Sequence, residues 1–307
     1  MSTNQERRAE ARRRLREQME AQARREKQLK IGAASVVAVV LLGIVGVVVW
    51  NNAEQARAEE YAANWLTCEY PEDTAGTPEK LDPAEFEDQG EEVMAEVRRF
   101  NEQVEQVEQS AQQAEPPSGD QPRRGTAEVT ITTGDGEIPL LLDREGAPCN
   151  VESFLNLAEQ NFFDDTECHR LTIGEEGSEL SVLQCGDPTG TGMSGPGYTV
   201  ADEPPTDLAV DEETGMSIYP RGTVAMAKSQ APDSAGSQFF LVYEDSLLPP
   251  EYTVMGTIGE PGLEVLDTIA DVGVKSNDPS EEGYQTPRRP VEIETVVVGA
   301  QEGLPEE

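Results

Sequence analysis

After Gly125 the chain changes period, and that change limits its fold more than any other feature of the sequence. AEVTITT (127–133) alternates apolar and polar residues, GDG makes a turn, and EIPLLLD (137–143) alternates again. Two such runs across a glycine turn predict a β-hairpin, because a strand turns successive side chains to opposite faces. Short strand-like runs follow between glycine-rich loops: CHRLTI, SVLQCGD, GTVAMA, SQFFLVY, YTVMGTI and a closing VEIETVVVG. Two segments keep a helical period instead. CNVESFLNLAEQNFF places Val151, Phe154, Leu155 and Leu157 on one face with Asn150 as candidate N-cap, and GLEVLDTIADV turns Leu263, Val265, Leu266 and Ile269 inward. Eight short strands with two helices predict a mainly β fold, a closed antiparallel barrel capped at its ends.

The first 125 residues read differently. Before residue 31, ten basic side chains face five acidic ones, and Ile31–Trp50 then carries no charge. Twenty apolar residues rising about 1.5 Å each cover roughly 30 Å, the thickness of a bilayer's hydrocarbon core. The run is longer than the apolar part of a cleaved signal peptide, and the basic flank orients the N-terminus to the cytoplasm. The expectation is a single-pass anchor in the cell membrane through residues 31–50, with everything beyond Trp50 extracytoplasmic. Residues 51–64 are rich in Ala and Glu and extend that helix. Glu92 to Glu115 reads as a polar helix whose Val104 and Val107 form a thin stripe, and PPSGDQPRRG is a linker. The expected organisation is a basic segment (1–30), a transmembrane helix (31–50), a partly helical acidic stalk (51–125), a folded domain (126–300) and a disordered tail (301–307).

Sixty acidic against 23 basic residues give a formal charge of −37, which disfavours contact with a phosphate backbone and excludes nucleic acid as a partner. The four cysteines, Cys68, Cys149, Cys168 and Cys185, are an even number in a chain expected to face an oxidising space. They allow three pairings, and patterning alone does not choose among them. With no Cys-x-x-Cys pair and one histidine, no metal site is called for. Gly190–Gly195 is a formal G-x-G-x-x-G, but Pro196-Gly197 follows where a dinucleotide site needs a helix, so no cofactor is called for. The lone His169 reads as a structural residue in a strand.

Four blocks in order carry a resemblance: Cys168-His169-Arg170, QCGDPTGTGMSGPG from Gln184, RGTVAMA from Arg221 and GSQFF from Gly236. In this order they resemble the cyclophilin family of peptidyl-prolyl cis–trans isomerases, from Thr126 to Gly299. The resemblance implies the eight-stranded barrel with two helices and a substrate groove on its outer face. It implies that Arg170 is directed at the prolyl nitrogen, that Gln184 holds Arg170 and the substrate backbone, and that Phe240 floors the proline pocket. Val182, Ala227, Gln238, Leu248 and Tyr252 then line the peptide channel. Ser181 and Val182 stand where the family usually has Phe and Met, Leu247 where cyclosporin-binding members often have Trp, Tyr252 in place of a His and Lys228 in place of an Asn. The pocket implied is thinner than usual. The resemblance also makes two disulfides arguable, Cys168–Cys185 across a hairpin and Cys68–Cys149 from stalk to helix. The function implied is isomerisation of X–Pro bonds in unfolded or exported polypeptides; the alternative is a membrane-tethered proline-peptide binding or chaperone module with little turnover.

Overall fold

The computed structural model describes residues 4–74, 78–174, 180–276 and 283–305, and within the first helix the side chains of 4–11 and 30–42 lie outside the described ones. The chain divides into two units, Met1–Ala63 and Asn64–Glu307.

The first unit is one helix, α1 (Asn4–Asn64), of 61 residues. Its described side chains are exposed from Arg12 to Ala63, including Ile44, Val47 and Trp50. The expectation of a transmembrane helix at 31–50 is corrected: among the described residues no helix is long and apolar enough to cross a membrane. More than half of that apolar run, 31–42, lies outside the described side chains, and α1 continues past Trp50 into the polar turns NNAEQARAEE.

The second unit opens with β1 (Trp65–Thr67), α2 (Glu91–Ser110), β2 (Asp120–Pro122), β3 (Thr126–Thr133), β4 (Gly136–Asp143) and α3 (Pro148–Glu159). It continues with β5 (Thr166–Glu167), β6 (Arg170–Leu171), β7 (Val182–Cys185), β8 (Ser217–Tyr219), β9 (Thr223–Met226) and β10 (Phe239–Val242). It closes with β11 (Ser246–Leu248), β12 (Val254–Ile258), α4 (Glu260–Val272) and β13 (Glu292–Glu302). Among the described residues, nine strands form one curled antiparallel sheet in the order β5-β13-β3-β4-β12-β9-β10-β7-β6, and β1-β2 and β11-β8 make separate pairs. The hairpin read from AEVTITT and EIPLLLD is β3-β4, in register from Thr126↔Asp143 to Thr133↔Gly136.

The closed eight-stranded barrel is corrected as well. The sheet ends at β5 and β6, which are not bonded to each other. Of the run CHRLTI, Arg170–Leu171 forms β6 and pairs with β7, while β5, just ahead of that run, pairs with β13. The covalent chain, not a ladder of hydrogen bonds, spans that gap.

The core fills the concave side of the sheet. Val151, Phe154, Leu155 and Leu157 of α3 are buried there, with Leu263, Leu266 and Ile269 of α4. Phe154 stacks on Phe163 at 5.0 Å and meets Phe239 edge-on at 5.2 Å. The cap of α3 is not Asn150: Pro148 takes the first turn, and the carboxylate of Glu203 accepts the Cys149 and Asn150 N–H groups at 3.1 and 3.0 Å. A carboxylate there satisfies orphan donors and suits the positive end of the helix dipole.

From Asn64 onward the expected stalk joins the folded unit, held to α3 and to the loop that carries Thr189, Pro196 and Gly197. Val104 and Val107, expected to bury little, are fully buried with Val97. The Cys68–Cys149 disulfide joins this segment to α3, and the Tyr70 hydroxyl donates to the Cys149 carbonyl at 3.0 Å. Asp73 N–H donates to Gly197 O and Ala114 N–H to Pro196 O, both at 3.0 Å. The last strand runs to Glu302, into the segment expected as a tail, and 306–307 lie outside the described residues.

Candidate active site

The register of four neighbouring strands sets the site. Arg170 pairs with Gln184 across β6-β7, Gln184 with Phe240 across β7-β10, and Phe240 with Ala225 across β10-β9. Directly opposed residues share a face, so these four side chains form one row across the outer surface. Two positions along each strand, the same face carries Val182, Val242, Gln238 and Ala227.

That face bears its own apolar cluster, separate from the main core. Val182, Tyr219, Ala225, Phe240 and Val242 are buried in it, with Leu180, Leu208, Ala227, Leu248, Tyr252 and Val254 packed against them. The residues assigned to the peptide channel are therefore brought together, Phe240 and Val182 buried and Ala227, Leu248 and Tyr252 half-buried. Tyr252 meets Phe240 edge-on at 5.6 Å. Below both lies Tyr219, which motif reading missed. Its hydroxyl sits 3.1 Å from Tyr252 O and 3.2 Å from Pro249 O, and accepts the Tyr252 N–H at 3.2 Å. Burial pushes the Tyr219 phenol up to about 12.

The polar end of the row is a chain of amides. Arg170 Nη1 donates to Gln184 Oε1 at 3.4 Å, and Gln184 Nε2 donates to Gln238 Oε1 at 2.9 Å. Gln238 Nε2 donates to the carbonyls of Gly192 and Ser194, each at 3.0 Å. Arg170 Nε donates to Gln285 Oε1 at 2.7 Å, a contact no motif announced. Both acceptors of Arg170 are neutral amides, and among the described residues it makes no ion pair. Burial lowers its pKa, and Tyr284 and Tyr252 oppose that shift. The guanidinium remains a cation with no carboxylate paired to it among the described residues, and with N–H groups left to donate.

The loop after Gln184 explains the G-x-G-x-x-G run as packing. Gly186 has φ +91°, and a Cβ there would lie 2.3 Å from Ser237 O, so only glycine lets β7 leave the sheet beside β10. The buried Asp187 carboxylate gathers the loop, accepting the Thr189 N–H at 2.7 Å, the Thr189 hydroxyl at 2.8 Å and the Ser194 N–H at 3.2 Å. Gly192 lies against the His169 ring. Both His169 ring nitrogens are shielded and without a hydrogen-bond partner among the described residues, and burial lowers its pKa, with Asp187 opposing and Arg170 adding. Among the described residues no group of three or more His, Cys, Asp or Glu side chains is placed to hold a metal.

The Cys168–Cys185 disulfide ties the chain just before Arg170 to the residue just after Gln184. Both pairings implied by the resemblance are present. Ser181 is buried, its N–H donating to Ser246 Oγ at 2.9 Å and its hydroxyl to Glu244 Oε2 at 3.2 Å. Lys228 pairs with Asp202 at 2.8 Å. Most of the acidic stretch GEEGSEL that precedes Ser181, residues 175–179, lies outside the described residues.

The chain is 48% identical over 178 residues to the probable peptidyl-prolyl cis-trans isomerase B of Mycobacterium leprae, covering 52% of this chain and 59% of that protein. It is 51% identical over 149 residues to the protein of the same name in Mycobacterium tuberculosis, covering 48% and 47%. The chain thus spans about half the length of the curated relatives it matches. A crystal structure of a cyclophilin type isomerase from Cryptosporidium parvum aligns with a TM-score of 0.46 at 27% identity, over 57% of this chain and 98% of that one. Residues 128–298, more than half of the chain, match the family model for cyclophilin type peptidyl-prolyl cis-trans isomerases, and the chain belongs to that family.

Proposed function

We propose that the chain isomerises X–Pro peptide bonds, with Arg170 directed at the prolyl nitrogen and Phe240 beneath the proline ring. The observation that carries this reading is the row Arg170–Gln184–Phe240, a cation without an ion pair among the described residues beside an apolar pocket on one face of the sheet. Rotation about an amide faces a barrier of about 18–20 kcal/mol because nitrogen shares its lone pair with the carbonyl. A donor at the prolyl nitrogen holds the lone pair there and weakens that double-bond character. A cation fixed before the reaction stabilises the twisted state without reorganising, and removing one such donor commonly costs about 10²–10³-fold in rate. Phe240, Tyr252, Leu248 and Val182 supply the apolar walls that hold the ring and exclude water.

The clients are proline-containing unfolded or exported polypeptides, and the second unit works outside the cytoplasm. The two disulfides support that placement, since such bonds persist in oxidising compartments.

Exchange NMR on an X–Pro peptide with the full chain tests the activity. Cross-peaks between cis and trans resonances that appear only with protein support an isomerase. Peptide line-broadening without such exchange supports the proline-peptide binding module instead, the reading favoured by the small Val182 in the pocket.

A further inference from the structure

We propose that Gln285 is a positioning residue for Arg170, a role that rests on the isomerase reading above. β6, the strand that carries Arg170, is two residues long and lies at the edge of the sheet. One of its sides is held by β7. The opposite side is covered by Gln285, which grips β6 twice. Its backbone carbonyl accepts the Leu171 N–H at 2.7 Å, and its side-chain Oε1 accepts the Arg170 Nε–H at 2.7 Å.

The second grip is the shorter of the two on the guanidinium, since the bond to Gln184 is 3.4 Å. A planar guanidinium has one orientation fixed by two of its N–H directions. With Nε held by Gln285 and Nη1 by Gln184, its remaining N–H groups keep a constant aim. Losing the Nε contact leaves one long bond, about which the plane swings.

Gln285 is itself held unusually. Its φ is +52°, the left-handed region that a long side chain seldom adopts and a glycine adopts freely. The conformation is fixed by the Gln285 N–H donating to Ser276 O at 2.9 Å and the Thr286 N–H to Gly283 O at 3.0 Å. Strained backbone that the surroundings enforce gathers at functional sites. Here a glutamine holds a place glycine would fill more easily, and its side chain is what reaches Arg170.

The test uses three substitutions in the full chain. Gln285→Ala lowers kcat roughly ten- to hundredfold with KM little changed, because peptide binding stays while the donor loses its aim. Gln285→Gly relieves the backbone, so it melts no lower than the native protein yet loses kcat to the same degree. Gln285→Glu keeps an acceptor and restores the slow solvent exchange of the Arg170 Nε–H, read by ¹⁵N NMR, that the Ala and Gly variants lose. The proposal is overturned if Gln285→Ala keeps native kcat, or if Nε–H exchange is the same in all four proteins. If Arg170→Ala itself turns over at the native rate, the isomerase mechanism fails, while the exchange measurement still decides whether Gln285 holds the guanidinium.

Discussion

Along β7, Leu183 and Cys185 turn into the main core while Val182 and Gln184 turn outward; along β10, Phe239 and Leu241 turn in while Phe240 and Val242 turn out. The same few strands therefore serve two surfaces. The inner one is mainly apolar, with a few buried polar side chains such as Ser153, and carries α3 and α4. The outer one is a small apolar patch bordered by a cation and three amides. An isomerase needs both. The barrier it lowers is electronic and sensitive to aim, so the outer row has to ride on a surface that does not move.

The sharpest way to break this comparison is to truncate one phenylalanine on each face. Phe239 is fully buried between Phe154 and Phe163, so Phe239→Ala costs about 3–5 kcal/mol in denaturant unfolding. Phe240→Ala costs less stability but removes the floor of the pocket, and its kcat/KM falls the further of the two. Equal losses of stability would make the outer cluster a second core and not a binding surface.

The two disulfides divide in the same way. Cys68–Cys149 closes a separation of 81 residues and Cys168–Cys185 one of 17, and loop-closure entropy assigns them about 4.5 and about 3 kcal/mol. Replacing Cys68 and Cys149 by Ala therefore lowers the melting temperature more and leaves turnover near native. Replacing Cys168 and Cys185 by Ala lowers it less but slows turnover, because that bond joins the segments bearing Arg170 and Gln184. Turnover lost equally in both variants would contradict the division.

The smallest effect is one of pH. Burial lowers the His169 pKa, so the unfolded chain binds a proton that the folded one resists. The stability this gives is present above the unfolded value of about 6.5 and lost as pH falls below it. His169→Gln flattens that slope below about pH 6.5 in urea unfolding, without moving the basic limb.

Much of the fold was legible because its signals are local. The β3-β4 hairpin and the buried faces of α3 and α4 follow from period alone, and four short blocks carried the row Arg170, Gln184, Phe240. What stayed hidden depends on distant packing. Val104 and Val107 read as a stripe too thin to bury much, yet both are fully buried, which the period of their own helix does not show. Cys168-His169 separates two short strands with different partners, β5 ahead of the run CHRLTI and β6 within it, which periodicity does not reveal. Gln285 stands 115 residues from Arg170 in a loop without a motif. Tyr219 lies in none of the sequence runs or blocks, and its place beside Tyr252 and Phe240 is set by packing alone.

The central claim, that Arg170 lowers the barrier from the outer face, is tested most directly by exchange NMR on an X–Pro peptide with native protein and Arg170→Ala at matched concentration. The account predicts a loss of about 10²–10³-fold in catalysed exchange, with the melting curve and peptide affinity close to native. Catalysed exchange that survives Arg170→Ala unchanged would contradict it.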